Sequence, residues 1–70
     1  MVPYGYRQER GEQVEDPDEM RVIRLLLSLR KEGHGAKAIL REINRQGHKN
    51  RAGSPFGIDS IKNLIYRWDP

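Results

Sequence analysis

The chain has 70 residues, a net charge of +3, no cysteine, and charged side chains at 33% of positions. A chain of that length is one small domain, burying roughly 60% of its unfolded surface, and without thiols it has neither disulfides nor cysteine-ligated zinc. No apolar run approaches the roughly 18 residues of a membrane span and the N-terminus lacks a signal peptide's apolar core, so a cytoplasmic protein with no membrane contact is expected.

Residues 1–15 show no helical period, and Pro3, Gly5 and Gly11 break any helix. Tyr4 and Tyr6 alternate with small residues, which suits an extended segment or a short strand. Gly11 suits the tip of a turn, with Val14 in a returning strand. Two readings stand side by side: a loose arm laid on the core, or a basic-aromatic arm that tracks a nucleic-acid backbone through Arg7 and Arg10.

A helix over about 17–32 follows. Asp16 supplies the N-cap, Pro17 takes the first helical position, and Glu19 is placed to reach back to the cap. Val22, Ile23, Leu26, Leu27 and Leu29 form its apolar face, and Gly33 suits its end. A second helix is predicted over about 36–46. Ala36, Ile39, Leu40 and Ile43 recur at helical spacing, Lys37, Arg41, Asn44 and Arg45 lie on the rest of its surface, and Gly47 ends it.

Residues 47–57 hold Lys49 and Arg51 with no acid among them, and Phe56 is the one large apolar side chain available to anchor them. This stretch reads as a surface loop or as a small hairpin or wing between the second and third helices. The third helix, about 58–68, has the clearest 3.6 period of the chain in Ile58, Ile61, Leu64, Ile65 and Trp68. Its far face carries Asp59, Lys62, Asn63 and Tyr66, with Arg67 beside it. The fold expected from these elements is all-α: a three-helix, helix-turn-helix-like domain over 16–70 behind an extended N-terminal arm over 1–15.

Charge is unevenly spread. Residues 1–32 carry six basic and seven acidic side chains, net −1, whereas residues 33–70 carry seven and three, net +4. A basic half on so small a domain points to a polyanionic partner. Ser28, Ser54 and Ser60 have no basic partner near them in sequence, so no nucleophilic catalysis is expected, and nothing calls for a cofactor or metal.

An ordered set of residues resembles the DNA-binding "recombinase" domain of serine site-specific recombinases. Pro3-Tyr4-Gly5-Tyr6-Arg7 is similar to the P-[FY]-G-Y that opens it, and Val14 with Asp16-Pro17-Asp18-Glu19 resembles its acidic helix start. Val22-Ile23 and Leu26 match an apolar pattern. Gly33, Lys37, Ile39, Ile43, Asn44 and Gly47 match its next helix, Gly53 and Phe56 its following loop, and Ile61, Leu64 and Ile65 its last helix. The chain departs from the pattern at Gly35, at His48-Lys49-Asn50, at Gly57, and at Arg67-Trp68-Asp69-Pro70.

The resemblance implies a domain that grips half of a recombination site on double-stranded DNA and positions a catalytic domain absent from this chain. Arg7, Arg10, Lys37, Arg41, Lys49 and Arg51 are then expected on phosphates, and Lys62, Asn63 and Arg67 on base edges. A small free-standing regulator, dimeric on two half-sites, is the second reading. A protein-interaction module using Leu25, Leu27 and Trp68 as an exposed patch is the third.

Overall fold

The computed structural model describes residues 2–69. Its elements run β1 (Tyr6–Glu9), β2 (Glu12–Glu15), α1 (Pro17–Lys31), α2 (Ala36–Arg45) and α3 (Ile58–Trp68). The all-α expectation with an extended arm is thereby corrected: three helices stand behind a two-stranded antiparallel sheet, a small mixed α/β fold that is 53% helical and 15% strand. The pair runs in the register Tyr6–Glu15, Arg7–Val14, Gln8–Gln13 and Glu9–Glu12.

The turn chemistry explains the hairpin. Arg10 and Gly11, the two linking residues, have φ of 51° and 80°. Positive φ at both central positions defines the tight turn whose twist matches paired strands, and Asn-Gly or Asp-Gly is its usual signature. Arg-Gly is a weak version of that signal, because a Cβ-bearing arginine is disfavoured there.

An isolated two-stranded hairpin is barely stable in water, and this one is fastened to the helices at its root. Gly5 is buried with φ +107°, and a Cβ built on it would lie 2.7 Å from Ile23 Cδ1 and 3.2 Å from Trp68 Cζ2. The rings of Tyr6 and Trp68 stack at 6.1 Å with 17° between their planes.

The start of α1 carries a second correction. Asp16 accepts from the N–H groups of Asp18 at 3.0 Å and Glu19 at 3.2 Å, as an N-cap should. The Glu19 side chain does not close the expected capping box. The Asp16 N–H donates instead to the Gly5 carbonyl at 2.8 Å, and Glu19 accepts from the Gly5 N–H at 2.7 Å. The cap of α1 and the root of the hairpin are one hydrogen-bonded unit.

Helices α1 and α2 both end in a left-handed glycine, Gly33 and Gly47, with the next amide returning to the last turn: His34 N–H to Leu29 at 3.0 Å and His48 N–H to Ile43 at 3.3 Å. The core is the meeting of three helices and one loop residue: Val22 and Leu26 from α1, Ile39 and Ile43 from α2, Ile61 and Leu64 from α3, and Phe56. Leu25, Leu27 and Trp68, expected as an exposed patch on the interaction reading, pack against this core instead. No helix among the described residues is long and apolar enough to cross a membrane.

The short link joins α1 to α2 through residues 32–35; α2 and α3 are separated by residues 46–57. The second and third helices therefore lack the three-to-four-residue turn that defines a helix-turn-helix.

Candidate nucleic-acid interface

Helix α3 buries Ile61 and Leu64, half-buries Ile58, Ile65 and Trp68, and exposes Asp59, Ser60, Lys62, Asn63, Tyr66 and Arg67. At 3.6 residues per turn, Tyr66 lies opposite Ile61, Leu64 and Trp68 and, with Asp59 two turns earlier on the same stripe, forms the crest of a ridge. Asn63 and Arg67 fall down one flank, and Lys62, one turn beyond Ile58, falls down the other.

A hollow borders each flank. One, of about 470 Å³, lies between Asn63, Leu64 and Arg67 of α3, residues 2–4, and Phe56 with its loop. The other, of about 530 Å³, is lined by Lys37, Leu40, Arg41, Asn44 and Ile58. No carboxylate lines either hollow.

Internal pairing leaves this half of the surface as basic as its composition implies, with five cations and one acid among the described residues outside any salt bridge. Glu42 pairs with Arg45 and accepts from Gln46 at 2.7 Å; those hydrogen bonds hold its carboxyl down to about 2. Asp69 pairs with Arg30 at 3.1 Å. Among the described residues from 33 onward, Asp59 is the one acid with no salt bridge, whereas Lys37, Arg41, Lys49, Lys62 and Arg67 are cations without one. Asp59 sits in the first turn of α3, where a carboxylate suits the helix dipole.

The loop over 46–57 is built by two asparagines. Asn44 donates to the Phe56 carbonyl at 3.1 Å and accepts from the Phe56 N–H at 3.0 Å, so one amide replaces a pair of strand hydrogen bonds. The Asn50 side chain accepts from the N–H groups of Ala52 at 2.9 Å and Ser54 at 3.0 Å. A single antiparallel bridge, Lys49 to Pro55, closes the turn and leaves Lys49 exposed at its base.

Arg51 is differently employed from the phosphate contact expected of it. Its guanidinium pairs with both Glu19 oxygens at 2.7 and 2.8 Å. It also donates to the carbonyls of Val2 at 2.6 Å, Pro3 at 2.7 Å and Tyr6 at 2.9 Å. The same group lies 5.5 Å from the centre of the Tyr4 ring. This hub ties the loop to α1 and to the hairpin root, and its donors face inward. The Arg51 hydrogen bonds hold the Glu19 carboxyl below its ordinary range. Burial, together with the carboxylates of Glu19 and Asp16, pushes the Tyr4 phenol up to about 12.

The hairpin holds the other two expected phosphate contacts apart from α3's flanks. Arg7 pairs with Glu9 at 3.1 Å, and Arg10 sits at the turn. Glu9, Glu12 and Glu15 outnumber these two arginines, so the hairpin is not the basic arm expected.

The expected set is thus split. Lys37 and Arg41 border one hollow, Asn63 and Arg67 the other, Lys62 stands on the flank of α3 beside Ile58, and Lys49 on the loop. Sequence reasoning missed Glu19 and Asn44 as fasteners and Tyr66 as the crest. The helical spacing within α3 carried the signal for Tyr66, whereas nothing local signals a Glu19–Arg51 pair 32 residues apart. Comparison with protein-family models, with curated proteins and with solved structures returns no match for this chain.

Proposed function

We propose that this domain grips double-stranded DNA with α3 in the major groove, as the half-site-binding module of a serine-recombinase-type protein. The observation that carries the DNA reading is the acid-free pair of hollows on either side of α3, with unpaired cations above them. A major groove about 12 Å wide admits one helix, and the sugar-phosphate backbones then run along its two sides. On this reading the hollows receive those backbones: Lys37 and Arg41 neutralise phosphates on one side, Arg67 on the other, and Lys49 from the loop. Lys62 and Asn63 reach base edges. The ordered likeness running from Pro3-Tyr4-Gly5-Tyr6 to Ile61, Leu64 and Ile65 supports the further step to a recombinase half-site.

Salt dependence tests the reading. Each phosphate neutralised contributes about −0.9 to the slope of log Kobs against log salt. Contacts from Lys37, Arg41, Lys49 and Arg67 give a slope of roughly −3.6. The Lys37→Ala/Arg41→Ala double variant is expected to bring it to roughly −1.8 for every duplex sequence. A wild-type slope near zero, or no binding to duplex at low salt, refutes the proposal.

A further inference from the structure

We infer that Tyr66 is a specificity contact that reads the 5-methyl group of a thymine in the major groove, an assignment that rests on the DNA reading above. Tyr66 is 91% exposed, and it is the one large apolar side chain so exposed among the described residues. Every other large apolar side chain of α3 faces inward: Ile61 and Leu64 are buried and Ile58, Ile65 and Trp68 half-buried. The Tyr66 hydroxyl has no hydrogen-bond partner among the described residues, and none of the four rings in the two aromatic pairs belongs to it. The ring therefore does nothing for the fold where it stands.

Its position is what the groove calls for. Tyr66 is at the crest, one turn from Lys62 and beside Arg67, and Asp59 shares that crest in the first turn of α3, so a helix inserted by the C-terminal part of this ridge brings the ring to the groove floor as its one apolar group. That floor consists of hydrogen-bond donors and acceptors with one apolar group, the thymine methyl. Cations on the flanks take the phosphates; an aromatic ring on the crest has no phosphate to neutralise and gains by covering a methyl. The contact selects thymine over cytosine, which presents an amino group and no methyl.

Binding selections from a random-sequence duplex library test this, using the intact domain and its Tyr66→Ala and Tyr66→Phe variants. So exposed a side chain can be replaced with little effect on folding. The wild type is expected to enrich a thymine at one fixed position, Tyr66→Phe to keep that preference, and Tyr66→Ala to lose it. Replacing that thymine by deoxyuridine removes only the methyl, and should weaken the wild type about fourfold while leaving Tyr66→Ala unchanged. If Tyr66→Ala enriches the same thymine, or the wild type binds duplex without any thymine preference, the assignment to Tyr66 is wrong and the DNA reading stands. If the wild type binds no duplex even at low salt, both fall together.

Discussion

Replacing Gly5 by alanine tests the seat of the hairpin, because the structure gives this glycine two separable reasons to be there. Its φ of +107° is a conformation that costs an alanine about 1–3 kcal/mol. The new methyl would also lie 2.7 Å from Ile23 Cδ1, 3.2 Å from Trp68 Cζ2 and 3.3 Å from Met20 Sδ. Overpacking of that kind costs about 1–3 kcal/mol, and the stiffer unfolded chain returns about 0.4–1 kcal/mol. The expected net loss is about 3 kcal/mol, a large share of the total stability of so short a chain.

Gly33 is the control: its φ is +97° and nothing lies within 4 Å of a Cβ built there. Gly33→Ala meets the same backbone cost of about 1–3 kcal/mol less the same return of about 0.4–1 kcal/mol, a net loss of about 1 kcal/mol with no overpacking. Urea unfolding of the two variants, followed by Trp68 fluorescence and by circular dichroism, measures the difference. Equal losses would show that Gly5 is not pressed against Ile23 and Trp68, and the docking of the hairpin would have to be abandoned.

Four more outcomes are expected. The stability that Glu19 contributes through its depressed carboxyl is complete above its ordinary value of 4.5 and lost as pH falls through the lower folded value. Acid unfolding of Glu19→Gln should therefore be shallower than wild type below pH 4.5. At the alkaline end, the stability tied to the neutral Tyr4 phenol is complete below pH 10.0 and lost as pH rises toward about 12, a dependence that Tyr4→Phe should abolish in pH-dependent melting curves. Asn44→Ala leaves the N–H and carbonyl of Phe56 without their partners and should cost about 2 kcal/mol in denaturant unfolding; no loss would mean that water serves the loop as well as the amide. Arg10→Asn should stabilise the hairpin by about 0.5 kcal/mol, since asparagine tolerates the left-handed turn better than arginine, and an unchanged or lower Tm would count against that turn.

The helices were legible because their signals are local and redundant. Asp16-Pro17 starts α1, Gly33 and Gly47 stop α1 and α2, and the apolar period of Ile61, Leu64 and Ile65 marks α3; predicted and observed limits agree within a residue. The hairpin was half legible: Gly11 and Val14 suggested a turn and return, but Arg10 occupies the position where asparagine would have declared it. The candidate interface was legible as composition and not as geometry. A basic residue reads the same in sequence whether it faces solvent, as Lys49 does, or is drawn inward by Glu19 and three carbonyls, as Arg51 is. Which of them occurs depends on contacts dozens of residues away, where neither spacing nor propensity carries information.

The stack of Tyr6 on Trp68 and the grip of Arg51 on the hairpin root also set an order of events in folding. Helices α1 and α2 can pair as soon as both exist, through a short link and a low loop-closure entropy. The hairpin root bonds to neighbouring α1 through Asp16 and Glu19, but the guanidinium that ties it and the ring that stacks on Tyr6 come from residues 51 and 68, far along the sequence. On a ribosome the hairpin therefore emerges before residues 51 and 68 exist, and its seat is completed only after α3 has been made.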